Sequence, residues 1–401
     1  MGLFPFHHHA YTFGVTLVFA SAWVKGRPYW CRLSLNLWIT ALVVTSAFFA
    51  LPIQAAAESD RIWCSNDRQV ATQKSKSVVR PDVCNAYRGD IVLEEGATMG
   101  FDRLTQLKYI DGNLSLLRVP GSDALQPLSN LIEVSGNLII DSLPDLLAVV
   151  GLDHLRAVGN RLAILNNPVL ENLDGLVALT TVGGLDVRSN PMLRDLKGLS
   201  KLVAAQKILI TFNERLESLD GLEKISQLPS FLEIVHNTQL RNIDALSNVS
   251  LVGKYLYISR NASLKSLQGL ASLKKSGDLV IEANPSLTDL GGLSRLEEIN
   301  GLLRIEHNNK LASLLGLALL TRISEYLYIA HNSELSNIDA LRRLSSVGKD
   351  FTIVSNKKLP ICHIQEIVPE SKTSSSVTRP GIEGIEIGGM VTVLDNKPEC
   401  G

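Results

Sequence analysis

Leu256-Tyr-Ile258-Ser-Arg-Asn261, Leu279-Val-Ile281-Glu-Ala-Asn284, Leu303-Arg-Ile305-Glu-His-Asn308 and Leu327-Tyr-Ile329-Ala-His-Asn332 are one phrase written four times. Its closing asparagine recurs at Asn167, Asn190, Asn213, Asn237, Asn261, Asn284, Asn308, Asn332 and Asn356, in steps of 23 or 24 residues. A second phrase, a small residue followed by leucine, keeps the same beat from Gly151-Leu152 through Gly175-Leu176, Ala245-Leu246 and Gly316-Leu317 to Ala340-Leu341. A fixed period in the low twenties marks a solenoid in which each repeat is one turn of the chain.

One turn cannot fold alone, because ordering its backbone costs roughly 1 to 2 kcal/mol per residue and its few Leu, Ile and Val side chains bury too little to offset that. Stacked turns share one apolar column, and that shared burial supplies the stability. In Leu185-x-Val187, Leu256-x-Ile258, Leu303-x-Ile305 and Leu327-x-Ile329 apolar residues alternate with outward ones, which is strand periodicity. Successive strands then pair in parallel about 4.8 Å apart. The asparagine sits where the chain leaves the strand, and an inward amide offers donors and an acceptor to backbone groups otherwise left unpaired.

Stepping back from Asn167, the beat reaches Leu143, Val119 and Glu95, with strands at Leu138-x-Ile140, Leu114-x-Leu116 and Ile91-x-Leu93. The expected fold is therefore an all-β dominated parallel solenoid of about twelve turns over residues 91–360. After Asn356 the beat fails; Lys372 to Pro380 is Ser/Thr-rich and reads as a loop, and Met390 to Leu394 offers a last strand.

Residues 1–57 read as a leader outside this fold. Apolar runs at Ala10–Val24 and Leu33–Ile53 flank Lys25, Arg27 and Arg32, and the second run ends in Gln54-Ala55-Ala56-Ala57. This pattern fits a secretory signal cleaved near Ala57, or an uncleaved signal anchor, since the run is long enough to span a bilayer. The sequence places Cys31 in the leader, Cys64 and Cys84 before the repeats, and Cys362 and Cys400 after them. In an exported chain the last four are expected as disulfides, most simply 64–84 and 362–400, stapling an N-terminal cap at 58–90 and a C-terminal cap at 361–401. Such caps cover the open ends that every solenoid must protect. Sequons at Asn113, Asn248 and Asn261 are candidate glycosylation sites, the last ranked lowest because it belongs to the inward asparagine series.

The formal net charge of −1 offers no basic field for nucleic acid and none for membrane lipid. No nucleophile elbow, His-Glu-x-x-His or phosphate-cradling loop occurs, so neither catalytic residues nor a cofactor is assigned. The outward strand positions align in rows. One row carries Asp186, Glu233, Tyr257, Arg304 and Tyr328; the next carries Glu282 and Glu306 on adjacent turns; a third carries His236, Arg260, His307 and His331. A carboxylate pair is what a carbohydrate-active β-helix enzyme would need, and Glu282 and Glu306 with Arg304 beside them read more simply as a solvated charge cluster. His307 and His331 should lie about 5 Å apart, close enough to share a metal or a proton, though no metal is assigned. Tyr257, Glu282, Arg304, Glu306, His307, Tyr328 and His331 are the candidate ligand-binding residues, because Tyr and Arg dominate interface hot spots.

The phrase Leu179-Thr-Thr-Val182-Gly183-Gly184-Leu185-Asp-Val187-Arg-Ser-Asn190, and its partner Leu131-x-x-Val134-x-Gly136-Asn137-Leu138-x-Ile140, resemble the receptor L-domain repeat. That is the solenoid of the ligand-binding ectodomains of insulin and EGF receptors and of related fungal wall proteins. The resemblance spans roughly residues 84–360 and implies a right-handed parallel β-helix with leucine-rich-repeat character. The chain departs from the receptors in lacking a cysteine-rich module and a kinase. The expected function is non-covalent recognition of an extracellular protein or glycan, with membrane contact only through the N-terminal segment if it is retained. The alternatives are a structural wall or envelope protein and, third, a carbohydrate-active enzyme.

Overall fold

The computed structural model describes residues 60–64, 84–95, 104–368 and 385–398. The expected leader, 1–57, and Cys400 lie outside the described residues. Among the described residues no helix is long and apolar enough to cross a membrane.

The described chain is a β-solenoid built on a 21-stranded sheet. Each Leu-x-Ile phrase is a strand that pairs in parallel with its equivalent one turn on: Leu279 with Leu303, Leu303 with Leu327, and Leu327 with Phe351. In several turns a separate shorter strand precedes it and forms a second parallel ladder, as in Glu298–Ile299 beside Arg322–Ile323. In Leu251–Ser259 and Lys275–Glu282 one strand spans both ladders, with a register irregularity between Val252 and Tyr255 where the chain rounds the corner. The glycine ahead of the strand has its reason here. A Cβ on Gly277 would stand 1.8 Å from the carbonyl oxygen of Lys254, so neighbouring turns touch backbone to backbone at this corner.

The small-Leu phrase forms a short 3₁₀ turn opposite the sheet, at Lys197–Leu199, Asp244–Leu246, Gln268–Leu270, Gly291–Leu293 and Leu315–Leu317. Its leucine points into the core with the strand's Leu and Ile, and the resulting apolar column runs unbroken from Ile91 to Ile387. At Gly316 a Cβ would meet the Leu290 carbonyl oxygen at 1.6 Å, which explains the glycine preference; Ala245 and Ala340 show that other turns accommodate a methyl.

All nine phased asparagines are fully buried. Asn284 is typical. Its Oδ1 accepts the backbone N–H of Asn261 at 3.1 Å, its Nδ2 donates to the carbonyls of Ile258 and Glu282 at 3.0 Å, and its own N–H donates to Oδ1 of Asn308. Each amide thus closes the turn behind it and is held by the turn ahead. The ladder does not stop at Asn356. Val391–Leu394 pairs in register with Phe351–Val354, and Asn396 Oδ1 accepts the Asn356 N–H at 3.0 Å across 40 residues. The failed beat after Asn356 is therefore a longer interval in sequence, 40 residues, between two ordinary rungs.

Immediately before each ladder asparagine the backbone is left-handed: φ lies between 52° and 57° at Ser189, Phe212, His236, Arg260, Ala283, His307, His331 and Ser355. This kink turns the chain off the strand and aims the next side chain inward. The candidate histidines occupy this position.

Both ends carry strand pairing beyond the phased repeats. Ala86–Arg88 pairs with Tyr109–Asp111, and Trp63 bridges to Ala86 beside the Cys64–Cys84 disulfide. At the other end Cys362, in the helical turn Ile361–Gln365, is disulfide-bonded.

Candidate functional site

The strand register places the candidate residues in the expected rows. Glu233 pairs with Tyr257, Tyr257 with Val280, Val280 with Arg304 and Arg304 with Tyr328. Ser259, Glu282, Glu306 and Ala330 align one step further along each strand. The sheet therefore presents Tyr257, Arg304 and Tyr328 on one face.

Alternation alone misjudges how open these rows are. Asp186, expected outward, is 1% exposed and is held by the guanidinium groups of Arg161 and Arg188. Thr211, Val235, Ser259, Glu306 and Ala330 are also buried. At Glu306 the cover is visible: Arg304 reaches along its own strand to Oε2, and His307 Nε2 lies 3.3 Å from Oε1. Pleating fixes which side of the sheet a residue takes, whereas its exposure depends on the long side chains beside it.

The Glu282 and Glu306 carboxylates, on adjacent turns, engage different partners. Glu282 accepts a hydrogen bond from the Tyr257 hydroxyl at 3.1 Å and lies 3.9 Å from Arg260, whereas Glu306 turns to Arg304 and His307. Each carboxylate has its own cation, and the expectation of a solvated cluster is corrected for Glu306, which is buried and ion-paired.

Between these rows lies a shallow cavity of about 260 Å³ lined by Tyr255, Tyr257, Asp278, Val280, Glu282, Leu302 and Arg304. Its rim is electrostatically set. Burial and the neighbouring Glu233 carboxylate, which accepts its hydrogen bond, push the Tyr255 phenol up to about 12. Burial, then Glu282, raises Tyr257 as well; burial and Glu306 do the same for Tyr328. Burial also raises the Glu233 carboxyl, against the pull of Arg188. Arg304 is held firmly protonated because Glu306 outweighs its partial desolvation, and its guanidinium lies 5.4 Å from the centre of the Tyr328 ring.

Tyr255, Asp278 and Leu302 escape the sequence reading. They belong to a row one residue ahead of the Leu-x-Ile phrase, with Lys207, Phe231 and Tyr326. Phe231 and Tyr255 stack at 4.6 Å, Lys207 Nζ sits 5.6 Å from the Phe231 ring, and Lys349 Nζ sits 4.8 Å from the Tyr326 ring. Their constant phase is the signal that would have found them.

His307 and His331 meet as expected. Their rings stack with centroids 4.7 Å apart and planes 4° from parallel. His236 is separated from this pair and stacks instead on Phe212 at 4.7 Å.

Of the sequons, Asn261 is fully buried in the ladder. Asn113 spends its amide between turns, donating to Asp90 at 2.9 Å and accepting from Asn137 at 2.8 Å. Asn248 is exposed and donates to the Glu223 carbonyl. Of the disulfide cysteines, Cys64 and Cys84 are bonded to each other with Cα atoms 5.0 Å apart.

No family model matches the chain, and no curated protein matches it.

Proposed function

We propose that the chain is an exported recognition module that binds an extracellular protein or glycan non-covalently through the sheet face from Tyr257 to His331. One observation carries this reading: Tyr257, Arg304 and Tyr328 stand on one in-register face, and Tyr257 and Arg304 wall a shallow cavity whose other polar walls are Glu282, Asp278 and Tyr255. Aromatic planes, a guanidinium and carboxylates on a rigid backbone suit a ligand that offers hydroxyls and apolar ring faces. A preformed sheet loses little order on binding, so weak contacts add up. The Cys64–Cys84 bond supports export, because such bonds persist in oxidising compartments. The repeat phrase's resemblance to receptor L-domains supports the same reading.

The test is a triple variant, Tyr257→Ala, Arg304→Ala and Tyr328→Ala, assayed on glycan arrays and immobilised matrix proteins. The expected result is an unchanged circular dichroism spectrum with lost binding. Unchanged binding would move the reading to another face or to a structural wall role.

A further inference from the structure

We infer that Glu306, His307 and His331 form a binding site for a divalent late first-row transition metal, of which zinc is the representative. Their candidate ligand atoms all lie within 4.8 Å of one another. Glu306 Oε1 and His307 Nε2 are already 3.3 Å apart. Metal–ligand bonds near 2.1 Å in a tetrahedron set donor atoms about 3.4 Å apart, so this pair spans one edge as it stands. His331, exposed on the next turn, closes the site when its ring tilts out of the parallel stack and its lone pair converges on the same point.

Three features separate this cluster from a chance gathering on a surface. Both histidines stand at the left-handed position of adjacent turns, with φ of 56° and 53°, which fixes their Cα atoms at strand spacing. The buried carboxylate is oriented from behind: Arg304 occupies Oε2 and leaves Oε1 facing the rings. The equivalent position at His236 follows Val235, so it has no carboxylate, and its ring rests on Phe212.

Two imidazoles and one carboxylate suit Zn²⁺, Co²⁺, Ni²⁺ or Cu²⁺ rather than Ca²⁺ or Mg²⁺, which prefer oxygen alone. Three protein donors leave the outward coordination position for water or for a donor atom from outside. The Arg304 charge works against the ion, which places the affinity below that of a closed four-ligand zinc site.

The experiment titrates Zn²⁺ into the full chain by calorimetry, in a background where His7, His8 and His9 are replaced by Ala and Cys31 by Ser to remove other ligands. We expect one zinc ion per chain, and Co²⁺ to give the visible absorption of a low-coordinate site. His307→Asn and His331→Asn keep a residue tolerant of left-handed backbone and should each weaken binding about tenfold or more, as should Glu306→Gln. His236→Asn should leave it unchanged. Absence of zinc uptake by the background chain would overturn the inference. So would uptake that survives both His307→Asn and His331→Asn with circular dichroism unaltered.

Discussion

The Asn284 amide engages backbone on its own turn and the one before, so its replacement by leucine strands the Asn261 N–H and the Ile258 carbonyl in a dry interior. Each orphan costs about 1 to 3 kcal/mol, and Asn284→Leu should therefore lower stability by about 2 to 6 kcal/mol, read as a shift in the urea midpoint. Asn396 makes the same bonds at a half-buried end, where water can replace them, and Asn396→Leu should cost clearly less. Equal losses would mean that solvent access does not govern the ladder. The kink beside the asparagine gives a sharper contrast. Ala283 sits at φ 52°, where a side chain is disfavoured by about 1 to 2 kcal/mol, so Ala283→Gly should be neutral or stabilising. Ala330→Gly, in a buried strand, should cost about 1 kcal/mol, and thermal denaturation of the pair decides it.

The strand pair Phe231–Val235 and Leu251–Ser259 carries the stacked Phe231 and Tyr255 rings and the Tyr255–Glu233 hydrogen bond. Because the folded Tyr255 phenol titrates near 12 and an unfolded one near 10, the unfolded chain loses this proton first as pH rises. Its contribution to stability is then flat below about 10 and declines between about 10 and 12. Alkaline titration followed by tyrosinate absorbance should show a late step that disappears in Tyr255→Phe; a Tyr255 that ionises near 10 would mean that neither its burial nor the Glu233 contact persists in solution. This element also marks the boundary of what the sequence makes legible. The nine asparagines in phase reveal the turn, the strand and the inward face, because one period governs them all. The rows around Tyr257 and Arg304 follow from that register. Which outward residues are closed over does not, since Asp186 and Glu306 are covered by arginines whose reach no alternation encodes. Nor does the period reach Asn396, which lies 40 residues beyond its partner in sequence and one rung beyond it in space.

Across the whole solenoid each turn touches chiefly the turns before and after it, so a disturbance at one end should decay along the stack. The Cys64–Cys84 bond closes a loop of 20 residues beside Trp63, whose bridge to Ala86 begins the stack. Chain-entropy arguments assign such a closure about 3 kcal/mol. In a double variant, Cys64→Ser with Cys84→Ser, that loss should fall on the first turns, where Ala86–Arg88 has only the short Trp63 bridge behind it and the Tyr109–Asp111 strand ahead. Hydrogen exchange should quicken in peptides covering residues 86–117 and stay constant over 251–332, where the asparagine ladder and the leucine column run uninterrupted. Because the candidate binding face lies within that central stretch, zinc uptake and ligand binding should survive the loss of the N-terminal staple. If exchange accelerates uniformly from end to end instead, the turns unfold as one cooperative block, and the staple at the far end then governs the binding face as well.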